Sequence, residues 1–87
     1  MIELIFIVFA DIEAAREKEA YLSVAEISKL PGVKGVYLTF GGHDFVVIHE
    51  SPDLPSAVQT AVKIRNIPGV TDTETIICMD IHEVFKS

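Results

Sequence analysis

Two short segments, Leu30-Pro31-Gly32-Val33 and Ile67-Pro68-Gly69-Val70, constrain what this chain can fold into more than any other feature. Proline has no N–H and its ring clashes with the preceding turn, so a helix ends at it; glycine takes the positive φ of the turn that follows. Each segment therefore closes a helix and opens a strand, and the sequence does this twice. Before the first segment, Glu13 to Lys29 is rich in Ala, Glu, Lys and Arg, with Tyr21, Val24, Ile27 and Leu30 spaced as one helical stripe. Before the second, Asp53 is placed to cap a helix starting at Leu54, with Pro55 in the first turn, where its missing N–H costs nothing. Leu54, Ala57, Val58, Ala61, Ile64 and Ile67 form the buried stripe expected of that helix.

The remaining apolar runs read as strands. Glu3 to Phe9 is the first, "VKGVYLTF" the second, "DFVVIHE" the third and "TETIICMDI" the fourth, with Gly41 and Gly42 expected to make a tight hairpin between the second and third. The order strand, helix, strand, strand, helix, strand predicts an α+β fold: a ferredoxin-like βαββαβ sandwich, its four-stranded antiparallel sheet carrying both helices on one face. With 87 residues, the sequence allows a single core, so residues 1–87 are expected to form one domain.

Helices that cover one face of a sheet leave the other to water, and strands in that setting alternate apolar with polar residues. These strands do not. Leu4, Phe6 and Val8 lie on one side of the first strand, and Ile5, Ile7 and Phe9 lie on the other. Large contiguous apolar patches are rare on monomers, and identical chains can bury identical faces about a two-fold axis. The sequence therefore predicts a homodimer formed through the open face of the sheet.

Composition removes several classes of function. A net charge of −6 repels a phosphate backbone, and the few Lys and Arg are scattered, which argues against direct nucleic-acid binding. No apolar run approaches the roughly 20 residues a bilayer requires, so no membrane role is expected. The single cysteine, Cys78, lies in the apolar run "TIICM"; it reads as a buried structural residue in a reducing, cytoplasmic setting.

The candidates for chemistry are few. His49-Glu50 and His82-Glu83 lack the H-E-x-x-H spacing that sets two imidazoles on one helix face, and neighbours on a strand point to opposite sides. They are expected to be solvated strand-end residues, with no metal and no cofactor. Thr71, Thr73 and Thr75 recur at period two, which places their hydroxyls on one face of a strand. Gly41 and Gly42 can present bare backbone N–H groups to a carboxylate, and Asp44 can accept from an ammonium. Those donors and that acceptor are what an α-amino acid requires.

"VKGVYLTFGGHDFVVI" resembles the segment of Lrp/AsnC-type regulators in which a strand leads into a G-x-[YFH]-D hairpin, and "KIRNIPGVTDTETIICM" resembles that family's helix end, P-G-V turn and D-T-x-T strand. The resemblance covers nearly the whole chain and points to the effector-binding and oligomerisation domain called RAM. Full-length members place a helix-turn-helix before this domain, whereas the first strand here begins at residue two, so a stand-alone RAM protein is expected. The resemblance implies dimers through the sheet, further assembly to octamers, small effectors held between subunits near the hairpin, and full-length Lrp/AsnC regulators as partners. By position, Gly42 and Asp44 match the hairpin motif and Thr73 and Thr75 match the last strand; Gly41 and His43 adjoin them, His43 standing where an aromatic is common. The expected function is a non-enzymatic amino-acid-binding oligomer. The rival expectation is a small dimeric α+β-barrel enzyme of the antibiotic-biosynthesis monooxygenase type, with a deep pocket inside each subunit.

Overall fold

Leu4–Ile12 form β1, the strand on which the rest of the sheet is built. The structure is a computed structural model that describes residues 4–85, so the expected start of the first strand at Glu3 lies outside the described residues. Val33–Leu38 form β2, Phe45–Ser51 form β3 and Val70–Cys78 form β4. The sheet order is β2-β3-β1-β4, and every neighbouring pair is antiparallel. A 3-10 turn at Ala14–Arg16 leads into α1, Glu17–Ile27, while α2 spans Leu54–Arg65. This is the ferredoxin-like arrangement the sequence predicts.

The repeated P-G-V segments make the same turn twice. Gly32 has φ +86° and Gly69 φ +98°, values that disfavour any side chain. After each glycine the valine N–H returns to the residue three back: Val33 to the Leu30 carbonyl at 3.2 Å, Val70 to the Ile67 carbonyl at 3.0 Å. Each glycine carbonyl also accepts a bond from a distant chain segment, Gly32 from Glu50 N–H and Gly69 from Glu13 N–H, both at 2.8 Å. A Cβ on Gly32 would run into the Glu50 carbonyl. At the start of α2, Asp53 accepts from Ser56 N–H at 2.8 Å, the predicted cap.

Strand alternation then separates two faces. Val8, Ala10 and Ile12 of β1 and Phe45 and Val47 of β3 turn toward the helices, where Ala20, Val24, Ile27, Ile64 and Ile67 complete a closed core. On the other face Ile5, Ile7, Phe9 and Ile48 are half-buried, and Ile76 is exposed.

Four expectations are corrected in detail. First, β1 runs on to Ile12, because Ala10, Asp11 and Ile12 continue to pair with β4. Second, β4 begins at Val70 and stops at Cys78, since Asp80 accepts from His82 N–H at 2.7 Å and starts a short third helix, α3, at Ile81–Val84. His82-Glu83 therefore belong to a helix rather than a strand end. Third, Leu54 and Val58 are not core: they form an outward line on α2, while Ala57 and Ile64 face the sheet. Fourth, His49 is not solvated. It is 2% exposed, turned to the helix side and stacked on Phe6 at 5.2 Å. Cys78 is half-buried, opposite Ile5 on the open face.

Candidate functional site

The connection between β2 and β3 is Thr39 to Asp44, longer than the tight Gly-Gly hairpin expected. Its base is closed by main chain and side chain together: Thr39 N–H donates to the Asp44 carbonyl at 3.0 Å, and the Thr39 hydroxyl donates to the His43 carbonyl at 2.7 Å. The tip is open. A Cβ at Gly41 or Gly42 would meet nothing within 4 Å, and Phe40 beside them is 96% exposed. An aromatic side chain left wholly in water costs hydrophobic free energy unless another surface takes it up.

Asp44 is a fastener as well as a candidate ligand group. Its carboxylate Oδ2 accepts from Ile12 N–H at 2.7 Å, and its own N–H donates to the Ala10 carbonyl at 2.9 Å. The hairpin is thereby pinned to the end of β1 on the side of α1. Tyr21 of α1 is close enough to register that charge: burial, then Asp44, then Glu17 raise its hydroxyl pKa above the ordinary 10.0.

His43 belongs to the opposite face. Its ring stacks on Phe9 at 5.1 Å, with Nδ1 3.1 Å from Asp11 Oδ1 and Nε2 3.5 Å from Glu74 Oε1. Asp11, Glu74 and Phe9 all lie on the open face, so His43 caps one corner of the exposed apolar surface. Thr73 and Thr75 face the other way. They pair with Ala10 and Val8, which places both hydroxyls on the helix side beside α2. The six expected site residues thus form three groups: a bare glycine tip, an aspartate on the α1 side with the threonines on the α2 side, and a histidine on the open face. Within one chain β1 lies between the hairpin and β4.

Arg65, which the sequence reading passed over, lines two depressions next to those threonines. One, of about 310 Å³, is bounded by Arg65, Val70, Thr71, Asp72 and Thr73. The other, of about 260 Å³, runs along the outward line of α2 and includes Leu54, Val58, Val62, Thr75 and Ile77. The signal was present in the spacing: Leu54, Val58, Val62 and Arg65 recur at helical intervals as a stripe beside the buried one. Among the described residues, no group of three or more His, Cys, Asp or Glu could hold a metal ion.

A four-stranded antiparallel sheet with its two long helices on one face and a fastened polar hairpin at one end defines a small ferredoxin-like α+β domain. The chain belongs to the Lrp/AsnC ligand binding domain family, which it matches over residues 6–85. It is 39% identical over 54 residues to the HTH-type transcriptional regulator LysM of Saccharolobus solfataricus. That match covers 62% of this chain and 38% of LysM, so the matched region spans well under half the length of this relative. The crystal structure of FFRP-DM1 superposes with a TM-score of 0.72 at 26% identity, covering 87% of this chain and 99% of that one. A transcriptional regulator of Neisseria meningitidis, solved as a complex with L-Met, shares the fold with a TM-score of 0.74 at 18% identity, over 88% of this chain and 50% of its own.

Proposed function

We propose that this protein is a non-enzymatic, amino-acid-binding oligomer that senses its effector through assembly and acts with transcription regulators of its family. The observation that carries the reading is the family match over residues 6–85, together with the L-Met complex of a protein of the same fold. In this reading the open face, with Ile5, Ile7, Phe9 and Ile48, pairs with the same face of a second copy. The effector site is shared: Gly41, Gly42 and Asp44 come from the hairpin of one copy, and Thr73 and Thr75 from β4 of another. The topology supports sharing, since β1 stands between the two groups in any one chain. The exposed Phe40 then finds its cover at the contact between copies. Further assembly to octamers and pairing with full-length Lrp/AsnC regulators belong to the same proposal, as does a cytoplasmic location. The rival monooxygenase reading has no supporting observation: the space between helices and sheet is filled by Val8, Ala10, Phe45, Val47 and Ile64, each no more than 0% exposed.

Calorimetric titration of the assembled protein with each of the amino acids tests the reading. At least one is expected to bind, and Asp44→Ala is expected to weaken it. No heat with any of them, from protein shown by sedimentation to be assembled, would reject the proposal.

A further inference from the structure

The outward stripe of α2 and the threonine side of β4 form one surface with Arg65 at its middle. Toward the start of β4, Arg65 meets the pocket lined by Thr71, Asp72 and Thr73, in which Arg65 is the cation facing one carboxylate; along the helix it meets the apolar groove of Leu54, Val58, Val62 and Ile77. Arg65 takes part in none of the ion pairs among the described residues, which join Arg16 to Glu19, Lys29 to Glu26 and Lys34 to Glu50, the others being made by histidines. An unpaired guanidinium between hydroxyls and an apolar trough matches a ligand with a carboxylate at one end and a hydrocarbon body at the other.

We infer that Arg65 anchors the carboxylate of a small apolar acid, whose side chain lies along Leu54, Val58 and Val62. The inference rests on the proposed effector reading, because it uses the same threonines, and it names the class of effector. The guanidinium fork donates two parallel N–H···O bonds to a carboxylate, which a lysine ammonium cannot reproduce. In a chain of net charge −6 an anion needs such a local cation to approach. Thr75 lies in the apolar groove and Thr73 in the polar pocket, so their hydroxyls flank Arg65 and fix the orientation of the bound group. Apolar contact along α2 then favours apolar side chains, whose hydrocarbon the half-open groove takes partly out of water, over polar ones, which gain little there. The hairpin of another copy is left to recognise the ammonium through Asp44.

The test is calorimetry on the full chain with L-leucine, L-methionine and L-phenylalanine, with the amide of whichever binds and with its keto acid. The acid is expected to bind at least about tenfold more tightly than the amide, the range for a charge-assisted pair. Arg65→Gln is expected to lose about tenfold or more, Arg65→Lys an intermediate amount, and Val58→Asp to lose binding of the apolar ligand. Lys63→Gln removes a charge from the same helix but lines neither depression, and is expected to leave affinity unchanged. Arg65 is exposed, so thermal unfolding of ligand-free Arg65→Gln should match the wild type. Unchanged affinity in Arg65→Gln, or equal binding of acid and amide, overturns the inference and leaves the effector reading standing. Binding of polar amino acids alone does the same. No binding of any amino acid overturns both.

Discussion

The two faces of the sheet carry similar apolar residues and have opposite fates. Phe45 and Phe9 make the contrast most directly. Phe45 is fully buried beneath the helices, among Val8, Val24 and Ile64. Phe9 is half-buried on the open side, with His43 stacked over it. Hydrophobicity alone does not distinguish them, since both are phenylalanines in strands that neighbour each other. The difference lies in what crosses over the sheet: P-G-V turns return both long helices to one side, and the apolar residues of the other side stay half-buried or exposed.

Substitution at these two positions should separate the faces. Phe45→Ala is expected to cost about 3–5 kcal/mol, the usual range for a large aromatic removed from a closed core, read from urea denaturation. Phe9→Ala should cost less than half of that in the dissociated chain, yet shift the assembled protein toward monomer in sedimentation. If the two variants lose equal stability and Phe9→Ala assembles normally, the open face is not an interface.

His49 sharpens the contrast on the closed side. Its ring is buried against Phe6, its Nε2 has no hydrogen-bond partner among the described residues, and burial lowers its pKa below the ordinary 6.5. A lowered folded-state pKa means that the unfolded chain binds the proton more readily, so this contribution to stability is full above the unfolded value. It is lost as pH falls below about 6.5, until the folded ring also titrates. His49→Leu should flatten that part of the stability profile, with a change of roughly 1 kcal/mol at neutral pH as an unpartnered buried nitrogen is removed. An acid limb of unaltered slope in the variant would show that His49 is not its source.

The smallest effect is expected on the open face itself. His43→Ala removes partly exposed contacts to Asp11 and Glu74, and should change stability by less than about 1 kcal/mol. If the proposed dimer forms through this face, its larger consequence should appear in the dimerisation constant, because Asp11 and Glu74 would then lie at the contact without their histidine. A loss of several kcal/mol in the isolated chain would place His43 in the fold rather than at its surface.

Most of the fold was legible because its punctuation is local. Pro31-Gly32 and Pro68-Gly69 report helix ends and positive φ from their own chemistry, and Asp53 reports a helix start. What the sequence hides is side-chain direction where two readings share one pattern. His49 has the composition of a strand end, but pairing with Phe6 turns it inward. Leu54 and Val58 have the right spacing for burial, but Ala57 and Ile64 occupy the line nearer the sheet, and one helix cannot bury both lines against one surface. The candidate site was legible as residue types and not as a place. Thr73 and Thr75 do share a face as period two requires, while His43 and Asp44, adjacent in sequence, leave the hairpin on opposite sides. The helical spacing of Leu54, Val58, Val62 and Arg65 marks a second stripe on α2, but its use shows only when Thr73 and Thr75 of β4 are set beside it.

The sheet order has a consequence for the order in which the chain can become a protein. β1 is made before all three other strands, and its two partners are β3 and β4. Only β2 and β3 can pair as a local hairpin; both pairings of β1 wait for distant segments, which is the slow step in folds of this kind. Until Val70–Cys78 has left the ribosome, the strand carrying Ile5, Ile7 and Phe9 has an unpaired edge and two apolar faces. The surface proposed to pair with a second copy is thus also the one a nascent chain must hold away from its neighbours for longest.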